Sequence, residues 1–153
     1  MNIAYPNVSV TMLVVDLARL LRRRFEAALA DVETGLTAGE ARTLFYVWRH
    51  PGLRQAALAD IMFVEPMTLV GYLDSLEGSG LIKRCPDPKD KRAKLVELTP
   101  ESNPLLERIG AALQSVRAKA LEDIPEDDRA VLERLLQDMK DNLISEEGVG
   151  RRK

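Results

Sequence analysis

The sequence predicts a mainly α-helical chain carrying one small β-hairpin. Three observations lead there. Apolar residues recur at steps of three and four along most of the chain. Only two short runs, residues 81 to 85 and 93 to 98, have the partial alternation of strands, and a polar loop joins them. Proline, glycine and capping residues punctuate the helical stretches at the places where helices should start and stop.

The elements follow in order. Leu13, Leu17, Leu20, Leu21, Phe25, Ala28 and Leu29 mark one face of a long helix over residues 10 to 30. Gly35 ends the connection behind it. Thr37-Ala38-Gly39-Glu40 fits a capping box, so a second helix starts at Ala38; it carries Ala41, Leu44, Phe45 and Trp48 and stops at Pro51-Gly52. Trp48 is expected to fill the core. Gln55 to Ile61 forms a short helix, and a brief apolar turn, Met62-Phe63-Val64, leads to Glu65-Pro66. Proline suits the first position of the next helix because its missing N–H would be unpaired there anyway. That helix presents Leu69, Leu73 and Leu76 inward, and Gly80 is placed to supply a positive-φ stop.

The hairpin comes next, with a loop from Pro86 to Arg92. Two strands alone are marginal, so they must pack on the helices. Thr99-Pro100-Glu101 opens a long amphipathic helix through Leu105, Leu106, Ile109, Leu113, Val116 and Leu121. Ile124-Pro125 separates it from a last one carrying Val131, Leu132, Leu135, Leu136, Met139 and Leu143. No repeat or second domain stands out, so residues 1 to 153 read as a single domain.

Composition narrows the function classes. The chain has 153 residues, 46% of them apolar, enough for a real core. One cysteine, Cys85, excludes an internal disulfide, and one histidine, His50, argues against a zinc cage; no metal or cofactor is expected. Asp16, Arg19, Arg22, Arg23 and Arg24 break the longest apolar stretch near the start. Neither a secretory signal nor a membrane span is therefore expected, and the cytoplasm is the expected location. Net charge is −2, but it is unevenly spread. Between Lys83 and Lys94 six basic residues (Lys83, Arg84, Lys89, Lys91, Arg92, Lys94) face two acidic ones (Asp87, Asp90), a local balance of +4. Acidic residues gather at Glu122, Asp123, Glu126, Asp127 and Asp128. Such segregation can hold one face on a polyanion and keep the other away. Two solvated charge runs without a partner are the plain alternative.

The order of helix, short helix, turn, helix and hairpin is that of a winged helix-turn-helix with N- and C-terminal dimerisation helices. In that arrangement the second helix of the motif enters the major groove and the hairpin reaches phosphates and the neighbouring minor groove. With the three leucines inward, Pro66, Met67, Thr68, Gly71 and Tyr72 lie on or beside the exposed side of the reading helix. Thr68 can bond a base or phosphate, Met67 can touch a thymine methyl, and Gly71 permits close backbone approach. In the hairpin, Arg92 offers a permanently charged planar fork suited to phosphate and to a narrow minor groove. Lys89 and Lys91 supply less directional attraction. Asp90 reads as an orienter of an arginine, with a plain turn-forming role as the alternative. Arg54 and Gln55, at the start of the short helix, can anchor the DNA backbone. Tyr46, Trp48 and His50 are candidates for the wall of a ligand pocket.

Four runs carry a family likeness: LTAGEARTLFYVW (Leu36 to Trp48), RQAALAD (Arg54 to Asp60), VEPMTLVGYLDSLEGSGLIKR (Val64 to Arg84) and DPKDKRAKLVELT (Asp87 to Thr99). On these runs the chain resembles the MarR family of bacterial transcriptional regulators, and within it the SlyA-like branch. The resemblance implies the order α-α-α-α-β-β-α-α and a triangular homodimer. Residues 36 to 99 would form the DNA-binding lobe, and residues 8 to 32 and 100 to 146 the dimerisation helices. It also implies a pseudo-palindromic double-stranded operator, with the arginine at Arg92 entering the minor groove and the aspartate at Asp90 fixing the wing. Many relatives repress genes until a small aromatic or lipophilic compound binds; some SlyA-like members activate genes by displacing silencing proteins. Two departures bear on specificity: arginine is common where this chain has Gly71, and a small capping hydroxyl is more usual where it has Arg54. Redox-sensing relatives keep a reactive cysteine near the first helix, which this chain lacks there, so Cys85 reads as passive.

The expectation is thus a DNA-binding repressor relieved by a ligand. An activator or anti-silencer, and a winged protein-interaction module that does not bind DNA, are the alternatives. No nucleophile and base stand at a spacing that would suggest an enzyme. Apolar stripes at both ends exceed what one small lobe can cover, which favours a symmetric partner, with a monomeric core as the alternative.

Overall fold

The structure, a computed structural model, describes residues 9 to 150, with side chains of the last helix described through Glu146. Residue 8, the expected start of the first dimerisation segment, lies outside the described residues. The described chain runs α1 (Val10–Ala30), α2 (Ala38–Arg49), α3 (Gln55–Met62), α4 (Pro66–Gly78), β1 (Ile82–Asp87), β2 (Asp90–Leu98), α5 (Asn103–Ala120) and α6 (Glu126–Gly150). This is the predicted fold class, mainly α with one antiparallel hairpin. Among the described residues no single helix is long and apolar enough to cross a membrane.

Local signals act where the sequence places them. The capping box forms in full: Thr37 Oγ1 accepts the Glu40 N–H at 3.2 Å and Glu40 Oε2 accepts the Thr37 N–H at 3.0 Å. Gly35, Gly52 and Gly80 all adopt positive φ, the region open to a residue without Cβ. Pro66 holds the first turn of α4. Thr99-Pro100-Glu101 departs from expectation, because Pro100–Ser102 is a 3₁₀ turn and α5 begins only at Asn103. Ser102 explains the shift: it is buried, and its hydroxyl donates to the Thr99 carbonyl at 2.7 Å, tightening that turn.

The described residues divide into two compact units between Val116 and Arg117, within α5. In the first, Leu44, Val47, Leu58, Leu69, Leu73, Leu76, Ile82, Val96, Leu106 and Ile109 form a single buried cluster. At about 1.5–3 kcal/mol for each fully buried aliphatic side chain, this cluster dominates the stability of the lobe. α2 packs on α4, and Gly39 of α2 makes room for the Tyr72 ring of α4, with which a Cβ at that position would collide. In the second unit, Arg129 donates to the Leu121 and Ile124 carbonyls at 2.9 and 2.8 Å, closing the turn that leads into α6.

Trp48 requires a correction. It is 51% exposed instead of filling the core. The buried side of α2 runs through Ala41, Thr43, Leu44 and Val47. Its centre lies between Leu44 and Val47, so the 100° step to residue 48 carries the indole onto the flank beside Phe45, with ring centroids 5.9 Å apart.

The hairpin is longer and its turn tighter than expected. Strands reach Asp87 and Asp90 and leave only Pro88-Lys89 between them. The Asp87 Oδ1 accepts the Lys89 N–H at 2.9 Å and the Asp90 Oδ1 accepts the Arg92 N–H at 3.0 Å, so two aspartates fold the polar loop. A register shift follows: Pro86 pairs Lys94 but Asp87 pairs Asp90, which sets Lys91, Arg92 and Ala93 in a bulge near the tip.

Candidate nucleic-acid interface

α3 and α4 meet at 113°, the angular range of a helix-turn-helix. On α4 the buried leucines 69, 73 and 76 turn Pro66, Met67, Thr68 and Gly71 outward, with Met67 79% exposed. No atom lies within 4 Å of where a Cβ on Gly71 would be, so the helix backbone is bare at that point. Tyr72 is half-buried, its ring laid over Gly39, and so stands at the edge of the exposed face. Neither α3 nor α4 has a side-chain cap, which leaves first-turn N–H groups able to receive an anion.

The wing is charged less simply than its sequence suggests. Arg84 Nη2 bonds Asp74 Oδ1 at 2.6 Å and Glu77 Oε1 at 3.0 Å, and the Arg84 N–H bonds Glu77 Oε2 at 2.9 Å. These contacts tie β1 to α4. Hydrogen bonding from Arg84 holds the Glu77 carboxyl below its ordinary range and lifts the guanidinium above its own. Lys83 pairs with Glu97 at 3.2 Å across the strands, and that bond raises the ammonium above its usual value. Two of the six cations counted in the sequence are therefore already paired, Lys83 within the wing and Arg84 with α4. Lys89, Lys91 and Lys94 form no ion pair among the described residues, and the Arg92 side chain is 98% exposed. The Arg92 Nε stands 4.0 Å from Asp90 Oδ1, so Asp90 shapes the tip chiefly through the backbone and restrains the guanidinium only loosely.

Arg54 sits at the N-cap of α3, with the half-buried Gln55 behind it. Its Nε bonds Asp87 Oδ2 at 2.7 Å, and its backbone bridges Leu95 while the Leu53 carbonyl accepts the Val96 N–H at 3.1 Å. The start of α3 thus adds a one-residue third strand to the wing. Asp87, only 6% exposed, is held below the usual carboxylate range, first by the Lys89 N–H and then by Arg54. The sequence reading missed Asp87 as an orienter. The available signal was an aspartate two residues before a free N–H in a Pro-containing turn. It also passed over Phe63, which closes α3 in the left-handed region (φ 53°) with 89% of its surface exposed. That conformation costs a bulky residue roughly 1–2 kcal/mol, a cost typical of functional segments.

Tyr46 and Trp48 lie on α2 and His50 is the residue that ends it. Tyr46 and His50 stack at 6.1 Å and 22°, while Phe45 sits 6.2 Å from Tyr46 and 5.9 Å from Trp48. Phe45 thus joins the three residues singled out from the sequence into one aromatic row.

Residues 36 to 94 match the MarR family. The transcriptional regulator PA3341 is 31% identical, over 90% of this chain and 99% of that one, with a TM-score of 0.76. The chain belongs to the MarR family. As such it is a DNA-binding transcriptional regulator. A MarR-family regulator from Rhodococcus sp. RHA1 is 25% identical over 88% of this chain and 94% of its own, with a TM-score of 0.71. CouR from Rhodococcus jostii RHA1, solved bound to p-coumaroyl-CoA, is 26% identical over 86% and 91%, with a TM-score of 0.67. The MarR match covers the helix-turn-helix and most of the wing, the part of the chain on which the interface is built.

Proposed function

We propose that this MarR-family chain, of the SlyA-like branch, is a homodimeric repressor that grips a pseudo-palindromic operator. α4 reads the major groove through Met67 and Thr68, with Gly71 at close approach and Tyr72 at its edge. Arg92 enters the adjoining minor groove, Lys89 and Lys91 neutralise phosphates, and Arg54, Gln55 and Pro66 line the backbone track. Asp90 orients the wing. The observation that carries this reading is the pairing of a wholly exposed Arg92 on a folded tip with an α4 face cleared of large core residues.

A second copy is favoured by the apolar residues exposed at both ends. Val10, Leu13, Leu17 and Leu20 on α1, and Val131, Leu132, Leu135 and Leu143 on α6, are each at least 40% exposed in the single chain. Repression relieved by a small aromatic or lipophilic ligand is supported by the aromatic row on α2 and by the ligand bound to CouR.

The test is duplex binding followed across salt. A chain that neutralises several phosphates weakens linearly in log–log terms as salt rises, with a slope near −0.9 per contact. Arg92→Ala should lower that slope by about one and reduce preference for the selected site. Binding indifferent to salt, or unchanged by Arg92→Ala, defeats the reading and favours a protein-interaction module. Light scattering should return twice the chain mass.

A further inference from the structure

Asp87 is an odd residue to find on the DNA-facing side of a wing. A carboxylate there repels phosphate, and simple electrostatics predicts that its removal would tighten binding. Its surroundings point the other way. Asp87 is nearly buried, and each of its oxygens is engaged: Oδ1 by the Lys89 N–H at 2.9 Å, Oδ2 by the Arg54 Nε at 2.7 Å.

The Arg54 guanidinium is engaged only along its inner edge. Among the described residues, Nη1 and Nη2 make no hydrogen bond or ion pair, and the side chain is about half exposed. Its backbone is equally constrained. Arg54 bridges Leu95 of β2 and begins α3, whose first turn has no side-chain cap. A fork held by Nε, with both terminal nitrogens unbonded among the described residues and followed in the chain by a first turn without a side-chain cap, has the donors that a phosphate oxygen pair accepts. Arginine is long and flexible, and without an inner partner it would have to give up rotamer freedom on binding. With one, that loss has already been met on folding.

We propose that Asp87 is a positioning residue for DNA binding, which aims the outer edge of the Arg54 guanidinium at a backbone phosphate. The proposal rests on the assignment of the wing and α4 to a duplex. Its distinguishing feature is sign: removing a negative charge from the interface should weaken binding to a polyanion.

Fluorescence anisotropy on a duplex selected from genomic fragments, repeated across salt, tests it with the full-length chain. Asp87→Asn keeps an oxygen for the Lys89 N–H and loses the grip on Arg54; affinity should fall about three- to tenfold. Arg54→Ala should fall at least as far and lower the salt slope by about one. The double variant should bind like Arg54→Ala alone. Binding by Asp87→Asn equal to or tighter than that of the unaltered chain overturns the proposal. So does an equal loss from Asp87→Asn in the Arg54→Ala background, since Asp87 would then act through the turn. Should Asp87→Asn melt early, Arg54→Ala decides alone, because an unchanged slope removes the phosphate contact. Failure of the unaltered chain to bind duplex in a salt-dependent way would instead strike the underlying assignment, and the two failures are distinguishable.

Discussion

Gly71→Ala should move stability and DNA affinity in opposite directions. Gly71 lies in the interior of α4, and no atom stands within 4 Å of the Cβ that alanine would add, so the substitution meets no clash in the free protein. Alanine is favoured over glycine in a helix interior by about 0.8–1.0 kcal/mol. For a chain of this size that gain raises the melting temperature by about 2–4 °C. Bound to DNA, the same methyl stands where the helix backbone comes nearest to the bases. Forcing a methyl into a close-packed contact costs about 1–3 kcal/mol, which at the lower end is about fivefold in affinity. Thermal denaturation and anisotropy on one preparation read both effects. A higher melting temperature with affinity unchanged would refute close approach and leave Gly71 as a position where a side-chain contact is simply absent.

Other outcomes follow from the ion pairs. Arg84→Ala leaves Asp74 and Glu77 without their shared partner and frees β1 from α4. Urea unfolding should show a loss of about 1–2 kcal/mol, with weaker duplex binding, and unchanged stability would contradict the tie. Acid should destabilise the lobe. Glu77, chiefly through Arg84, and Asp87, chiefly through the Lys89 N–H, are held below their unfolded values. Their contribution is therefore complete above the unfolded carboxylate range and is lost as pH falls through the lower folded values. The urea midpoint should hold steady from pH 7 to about 5 and fall below about pH 4. A midpoint unchanged down to pH 3 would contradict it.

What was legible in the sequence was what local chemistry writes. Thr37 and Glu40 are three residues apart and cap one helix; Leu69, Leu73 and Leu76 share a face because the helix repeats every 3.6 residues. Those short-range rules placed Met67, Thr68 and Gly71 on the outside of α4 without any tertiary information. The wing was legible in kind and not in detail. Arg54 meets Asp87 across 33 positions, and Arg84 meets Asp74 across 10, so no window of sequence reveals which cations are already paired. Charge counting therefore overstated the free positive charge, and although it included Asp87 it could not show that this carboxylate is buried and paired with Arg54. Trp48 failed for another reason. Two overlapping stripes on α2, one through Leu44 and Val47 and one through Phe45 and Trp48, both have helical spacing, and only packing against α1, α3, α4 and β2 chooses between them.

The most direct measurement is a footprint of the chain on a genomic duplex it selects, read by hydroxyl radicals and by methylation of guanine N7. The account requires two protected major-groove tracts about one helical turn apart, each flanked by minor-groove protection that vanishes in Arg92→Ala while the tracts persist. Flanking protection that survives Arg92→Ala, or no protected tract at low salt, would contradict it.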